Sequence, residues 1–504
     1  MISRVFGYVR DAALAGVLGA AFGMDAFTIA FRLANLFRRL VGEGSMTTAF
    51  IPVYTQYRKN HSDQESWQFV STAFYTLGAL LLCLVIATIF LSPLLVRVMA
   101  PGFYQIPGKF ELTTFLNQLM APFLLLIGLG SLLMGVLNAH GSFSISAFAP
   151  LMLNLSIIAA TLGIAPHMSY PSVGVAYGVL LGGVLQFVVQ LPAAIQKGMR
   201  LHFHFSLKHP AIQQMAKMLG PSLLGLGVVQ LNLLVDSLIG SFLIEGSVSS
   251  LYYSSRVTEL AIGVNAVAVA TVILPALSEA AHDRNFPQMT KLLTFGLRQV
   301  AFIVIPAAIG LMVLAQPIIT VLFEHGEFMP EDTIRTAGCL VLYASGLFFV
   351  GGLKVLAPAS YALMDTKTPV KCAFIALLVN IVFNLILMKP LGVSGIALAT
   401  AISAAVNFLL LYGLLRKQLQ PINWKPFLSS MGRIVFSGMV MAGMAWGVMS
   451  LSRFDRLMSK WQQAGWLSVC VIVCALGYFL AMKVLRSPEL NEWKNALARR
   501  KTNR

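Results

Sequence analysis

The chain has 504 residues, of which 57% are apolar and 11% charged, less than half the roughly 25% charged residues of an ordinary soluble domain. With a mean hydropathy of +0.78, this much apolar surface cannot hide in a soluble core, and the natural solvent is a bilayer. The formal charge of +17 points to nucleic acid in a soluble protein; in a bilayer the question becomes where along the chain the cations sit.

The N-terminus does not read as a signal peptide, because Arg4, Arg10 and Asp11 interrupt the would-be apolar segment. A spanning helix needs about 20 mostly apolar residues, and fourteen stretches qualify, near 4–22, 26–56, 68–98, 112–137, 145–165, 172–196, 214–243, 249–281, 289–315, 333–362, 369–389, 393–415, 428–451 and 463–485. The first is the weakest, being Ala/Gly-rich and charged. The expected fold is an all-α integral membrane protein of about 14 transmembrane helices.

Orientation follows from Lys and Arg in the connections. With the N-terminus cytoplasmic, cytoplasmic connections and tail hold 21 cations, and the opposite side holds seven: Arg97, Lys109, Arg335, Lys389, Arg453, Arg456 and Lys460. This predicts both termini inside. The acidic loop Glu324, Glu327, Glu331, Asp332 then falls outside.

The chain repeats itself. Arg32-Leu33 and Arg256-Val257 lie 224 apart, as do Ser92-Pro93-Leu94-Leu95 and Gln316-Pro317-Ile318-Ile319. Each Arg stands about 20 residues before an apolar-Pro pair, Ile51-Pro52 and Leu274-Pro275. Gly174-Val175-Ala176-Tyr177-Gly178 matches Gly395-Ile396-Ala397-Leu398-Ala399 at an offset of 221, which also aligns Gln186 with Asn407. The expected organisation is two pseudo-symmetric six-helix lobes, 1–200 and 214–417, joined by a basic cytoplasmic linker at 201–213. Two extra helices at 428–486 and a basic cytoplasmic tail at 487–504 follow. Six being even, both lobes enter the membrane in the same sense, with a site expected at their interface.

Seven cations remain inside spans: Arg4, Arg10, Arg32, Arg38, Arg39, Arg256 and Lys354. An ionised side chain at mid-bilayer costs at least about 2.5–3.5 kcal/mol, and Arg keeps its charge, so these residues need water or a partner. In the second span Arg32, Asn35, Arg39 and Glu43 share one helix face, with Arg38 beside it. Arg256 and Glu259 form the counterpart in the eighth span, and Asp25 caps the short link into the second. The surplus asks for an anionic ligand, since Arg forks match phosphate oxygens bidentately. Snorkelling or intramolecular pairing is the alternative, strongest for Arg4 and Asp11 and weakest for Arg39 and Arg256 at mid-span.

A second polar group comprises Asp236 in the seventh span, Asn380 and Asn384 at i, i+4 in the eleventh, and Thr400 in the twelfth. A carboxylate with amide and hydroxyl oxygens can coordinate Na+, or Asp236 can carry a proton. Against this, an Asn pair is also a common interhelical glue. Five cysteines without metal-ligand spacing, no phosphate-binding G-x-x-x-x-G-K-[ST] loop and no H-E-x-x-H motif argue against a metal centre or ATPase. No cofactor is expected.

Ser3-Arg4-Val5-Phe6-Gly7-x-x-Arg10-Asp11, Asp25-Ala26-Phe27, Asn35-Leu36-Phe37-Arg38-Arg39-Leu40-x-x-Glu43-Gly44 and Ala49-Phe50-Ile51-Pro52 resemble the MurJ/MviN family of lipid II flippases. Phe148-Ala149-Pro150-x-x-x-Asn154, Tyr252-Tyr253-x-x-Arg256-x-x-Glu259, Lys354-Val355-Leu356-Ala357-Pro358-x-x-Tyr361 and Asp365-x-Lys367-Thr368-Pro369-Val370-Lys371 extend the likeness across the first twelve spans. The resemblance implies a multidrug/oligosaccharidyl-lipid/polysaccharide exporter fold in the bacterial inner membrane. It implies alternating access of lipid II, an undecaprenyl-pyrophosphate lipid, through a cavity lined by Arg10, Arg38, Arg39 and Arg256, with Arg4, Arg32 and the acidic Asp25 alongside. It further implies a lipid-tail groove on the last two helices, an ion site at Asp236, Asn380, Asn384 and Thr400, and no catalysis. Na+ or H+ coupling, the membrane potential and contacts with cell-wall synthesis proteins stay open. Relatives commonly carry a longer segment before the Ser-Arg motif, and some have Asp-Arg where this chain has Ser255-Arg256.

Three rivals are weighed. A cation-coupled drug antiporter favours acids in its cavity, not arginines. A flippase for another polyprenyl-linked glycan would share the phosphate chemistry. A polyprenyl-dependent glycosyltransferase needs carboxylates on an outer loop, for which only the 324–332 stretch is a candidate.

Overall fold

The computed structural model describes residues 2–37, 46–263, 266–419, 424–452, 454 and 458–490. Among them the regular elements are helices. In chain order these are α1 (Ile2–Leu18), α2 (Phe22–Phe37), α3 (Met46–Asn60), α4 (Asp63–Met99), α5 (Lys109–Met120), α6 (Phe123–Ala139), α7 (Phe143–Gly163), α8 (Pro171–Val188), α9 (Leu191–Gln196) and α10 (Pro210–Gly240). There follow α11 (Ser247–Gly263), α12 (Ala266–His282), α13 (Phe286–Val313), α14 (Ala315–Phe323), α15 (Pro330–Ser345), α16 (Leu347–Ala362), α17 (Lys367–Leu391), α18 (Val393–Arg416), α19 (Trp424–Ser452) and α20 (Lys460–Val484).

Every predicted span falls on one helix or on two consecutive ones, so the chain is an all-α multi-pass membrane protein. The second, fourth, sixth, eighth and tenth spans are each two helices in succession. The break between α5 and α6 falls at Pro122, which lacks the N–H that would continue the ladder. Among the described residues nine stretches are long and apolar enough to cross a bilayer, and α15 with α16, bent by 43°, makes a tenth. The remaining predicted spans, on α1, α2–α3, α10 and α11–α12, include the helices that carry Arg10, Arg32, Asp236 and Arg256. Local signals set several ends. Ser62 and Glu65 form a reciprocal capping box at the start of α4, and the hydrogen bonds from Ser62 hold the Glu65 carboxyl below its usual range.

The chain divides into two compact units. Unit 1 is Met1–Ser249 with His325–Met329, and thus includes α10, which the repeat assigns to the second half. One of its apolar clusters explains why. Phe50 and Tyr54 of α3, Phe69 of α4 and Leu132 and Val136 of α6 bury together with Met215 of α10. The basic linker before α10 is stitched onto α4 through its backbone. Ser71 Oγ donates to the Arg200 carbonyl at 3.1 Å, and Thr76 Oγ1 accepts the Ser206 N–H at 3.3 Å. The linker side chains stay mostly exposed.

Unit 2 is Ser250–Glu324 with Pro330–Arg504. Here α13 serves two clusters. Leu293, Leu297 and Val304 pack with Val355, Leu356 and Phe408, while Ala301 and Phe302 pack with Ile434, Met441, Cys474 and Tyr478 of the two C-terminal helices. The Tyr478 hydroxyl donates to the Phe302 carbonyl at 2.7 Å. Beyond α20 the chain turns back at Arg486 (φ +50°) and buries Glu489, which accepts from Arg298 Nε at 2.7 Å. Burial alone would raise this carboxyl, but hydrogen bonds from Ser430, Ser487 and Arg298 outweigh it and hold the pKa below the usual range.

His209 stands at the N-cap of α10, where its Nδ1 accepts the Ala211 N–H at 3.3 Å and its ring stacks on Phe69. Burial, reinforced by His204 and His61, pushes its pKa down. The cap therefore needs the neutral ring. With the folded pKa below the unfolded one, its stabilisation is complete above the ordinary histidine range and is lost as pH falls through the folded value. Thermal stability should fall more for the native chain than for His209→Asn between about pH 7.5 and about pH 5.5, because the amide caps without titrating. Equal losses would show that the cap does not titrate.

Candidate functional site

The structure sorts the expected site residues into buried, satisfied groups and half-exposed ones. On α1, Arg4 is exposed, whereas Arg10 is 7% exposed. Arg10 Nε and Nη2 donate to Asp11 Oδ1 at 2.9 and 2.6 Å, and Nη1 donates to Asn154 Oδ1 at 3.1 Å. Asn154 Nδ2 in turn donates to the Ser3 carbonyl at 3.1 Å, joining α7 to the start of α1.

Asp25 accepts four hydrogen bonds. It is 1% exposed, and its carboxylate accepts from Lys109 Nζ, Gly246 N and Ser249 N, each at 2.8 Å, and from Ser249 Oγ at 2.5 Å. It therefore caps the first turn of α11 rather than the link into α2. Asp25 and Ser249 are 224 residues apart, which is the repeat offset, so the carboxylate is bound by its own counterpart. Lys109 corrects the sequence reading. Counted there among exterior loop cations, it is 1% exposed and lies over the Phe103 ring at 4.5 Å. One signal could have found it: Lys109, Thr113 and Asn117 form a polar stripe at i, i+4, i+8, and all three are buried.

Arg32 is half-buried, and its Nη1 donates to the Leu233 carbonyl at 3.2 Å and to Ser237 Oγ, both on α10. Asn35 is also half-buried. Arg38, Arg39 and Glu43 lie outside the described residues. In unit 2, Arg256 is half-buried and pairs with the exposed Glu259 at 2.8 Å, its guanidinium 5.0 Å from the Tyr252 ring centroid. Lys354 is half-buried on α16.

The second polar group is brought together in part. Asn384 Nδ2 donates to Asn380 Oδ1 at 3.0 Å, Asn380 Nδ2 to Thr400 Oγ1 at 3.4 Å, and Thr400 Oγ1 to the Ile396 carbonyl at 3.0 Å. This row ties α17 to α18 within unit 2, whereas Asp236, 4% exposed, belongs to unit 1. The acidic 324–332 stretch is largely spent locally. Glu324 accepts from Thr320 and Thr333, and Asp332 pairs with Arg335. This leaves the stretch poorly suited to serve as a catalytic acid cluster.

Comparison with known proteins decides the family. The profile described as "Lipid II flippase MurJ" matches residues 14–462. The chain belongs to the MurJ family. A probable lipid II flippase MurJ of Vibrio cholerae is 38% identical over 450 residues, covering 88% of this chain and 86% of the relative. The lipid II flippase MurJ of Burkholderia cenocepacia is 33% identical over 487 residues, covering 95% and 94%. Among solved structures, a lipid II flippase MurJ in an inward closed conformation superposes with a TM-score of 0.79 at 28% identity, covering 96% of this chain and 98% of that one. An inward-facing multidrug resistance MATE transporter of the MOP superfamily superposes at 0.68 with 14% identity over 82% of this chain and 95% of that one, a likeness of fold. MurJ members are named for transport, not for catalysis.

Removing either member of the Asp25–Lys109 pair leaves the other charge buried and uncompensated, at a cost of about 3–5 kcal/mol. Asp25→Ala and Lys109→Ala should each lower the thermal unfolding temperature of the purified protein strongly. The double variant should lose clearly less than the sum; additive losses would show that the pair is not coupled.

Proposed function

We propose that this chain flips lipid II, the undecaprenyl-pyrophosphate-linked peptidoglycan precursor, from the cytoplasmic to the outer leaflet of the bacterial inner membrane. The observation that carries this reading is the match to the lipid II flippase family along residues 14–462, and the arginines supply its chemistry. The sugar-peptide head and pyrophosphate cannot cross hydrocarbon unaided. Arg32 and Arg256 stand half-buried in membrane helices. With Arg38 and Arg39 they are the cations to which pyrophosphate oxygens would be bound bidentately. Arg4, Asn35 and Glu259 are the further polar residues assigned to the substrate. Arg10 and Asp25, paired with Asp11 and Lys109, complete the set.

Both termini are assigned to the cytoplasm. Removing Lys109 from the seven outer cations leaves six against 21, which strengthens the positive-inside bias. This places the α1–α2 link outside. Transport needs a driving force that distinguishes the two states of the cycle. The membrane potential supplies about 2.3 kcal/mol per charge at 100 mV, and Na+ or H+ at Asp236 with Asn380, Asn384 and Thr400 is the proposed ion coupling.

Arg39→Ala or Arg256→Ala should abolish growth of cells depleted of their own flippase while the protein remains in the membrane. Full growth with both arginines replaced would overturn this assignment of the cations. Labelled lipid II in vesicles, with other undecaprenyl-linked glycans as competitors, tests the substrate directly. For the ion, lipid II flipping should weaken in Asp236→Asn and when Na+ is exchanged for K+ or the proton gradient is dissipated; insensitivity to all three would remove the coupling.

A further inference from the structure

The linker before α10 alternates in sequence, with Leu201, Phe203, Phe205 and Leu207 separated by His202, His204 and Ser206. Leu201 packs inward, against the cluster that holds Leu133, Leu137 and Ala194. The other three apolar side chains stay outside: Phe203 is 81% exposed, Phe205 48% and Leu207 52%. Lys197, Arg200 and Lys208 beside them are exposed as well. The segment runs along α4, which fixes its depth. Helix α4 has 37 residues, so it is about 55 Å long, against about 30 Å of hydrocarbon. Arg97 closes its apolar run at one end, and about 20 residues back the run opens at Leu77. Ser71 and Thr76, the two residues that hold the linker, lie just before that point. Trp67 and Tyr75, residue types suited to a membrane interface, stand at the same level, and the Tyr75 ring meets that of Phe203 at 5.0 Å.

We infer that this linker is a lipid anchor at the headgroup level: Phe203, Phe205 and Leu207 enter the boundary of the acyl chains, and Lys197, Arg200 and Lys208 hold the phosphates of anionic phospholipids. Two features of unit 1 favour a lipid leaflet over bulk water. First, the backbone is prepared for a water-poor layer, where non-helical chain needs built-in partners. Ser71 Oγ donates to the Arg200 carbonyl at 3.1 Å and accepts the His202 N–H at 3.3 Å. Thr76 Oγ1 donates to the Ser206 carbonyl at 3.5 Å and accepts its N–H at 3.3 Å. Two hydroxyls thus meet four backbone groups. Second, charge is graded with depth. The cations stand beside the three apolar side chains, while the exposed acids of this end, Asp63 and Glu65, lie at the start of α4, about 10 Å further from the hydrocarbon than Ser71. A basic segment with large apolar side chains and its acids set back is complementary to an anionic leaflet. Neither the anchor nor its test depends on the flippase reading, so the two can fail separately.

The test compares full-length protein in vesicles of phosphatidylcholine and of phosphatidylcholine mixed with phosphatidylglycerol. In protein whose five native cysteines are replaced by alanine, a nitroxide is placed at Phe205→Cys, with Lys59→Cys, an exposed position at the end of α3, as the water-facing control. Its accessibility to oxygen relative to a water-soluble nickel chelate should exceed that of the control and rise about threefold with phosphatidylglycerol. Raised salt, or Lys197→Gln/Arg200→Gln/Lys208→Gln, should cancel that rise. A ratio equal to the control's would overturn the anchor and leave the face to a protein partner. A ratio that ignores phosphatidylglycerol would overturn the role of the cations. A second measurement needs no cysteine replacement. Tryptic cleavage after Lys208 is followed against cleavage after Lys417, an exposed site that lies six spans further on and therefore on the same side. In the native chain the ratio should fall about tenfold when phosphatidylglycerol is added, and Phe203→Ser/Phe205→Ser should abolish the fall. Equal cleavage of the native chain in both lipids would overturn the anchor.

Discussion

An arginine cannot shed its proton to enter a membrane, and this constraint organises the whole molecule. Each cation carried into a span must be given oxygen atoms or an aromatic face, and the structure does so in two ways. Arg10 and Lys109 are fully enclosed, by Asp11 with Asn154 and by Asp25 with Phe103. Arg32 and Arg256 are only half enclosed, by an α10 carbonyl with Ser237 and by Glu259 with Tyr252. The first kind holds helices together. The second encloses the side chain less completely, that of Arg256 being 25% exposed. Composition cannot separate the two kinds; enclosure can.

Asp25 shows how one carboxylate does architectural work. Four donors converge on it from α5, from the residue before α11 and from α11 itself. Two of them come from Ser249, one repeat away. The same end of unit 1 is closed further by Phe22 N donating to Glu245 and by Gly102 N donating to Ser241. Asp25, read in the sequence as a companion of the arginines, anchors the start of α11 in the structure.

Much of the fold was legible because hydropathy and internal repeats are local or periodic signals. All fourteen spans, the two extra helices and the half-exposed Arg32 and Arg256 follow from them. What was not legible depends on partners far away in sequence. Lys109 meets Asp25 across 84 residues, and Arg10 meets Asn154 across 144. Lys109 also follows Pro107-Gly108 and precedes Glu111, so its neighbours read as a loop while its helix buries it. The linker at 201–213 was legible as basic, but its backbone stitching to Ser71 and Thr76 was not, because hydroxyls in a span carry no direction in sequence. The acids of 324–332 were visible as a cluster, though Thr320, Thr333 and Arg335 already use two of them.

The distribution of strong and weak contacts follows from what a transporter must do. Buried ion pairs are costly to break because each partner is stranded in low dielectric, so they belong where helices travel together. Asp25–Lys109 lies inside unit 1, and Arg298–Glu489 inside unit 2, where it fastens the turn after α20 to α13. Contacts that form and break in each cycle need the opposite character, with small area, little side-chain ordering and groups that water can satisfy once they part. Asp25 and Glu489, each buried and met by several donors, have the composition this reasoning predicts for fixed joints.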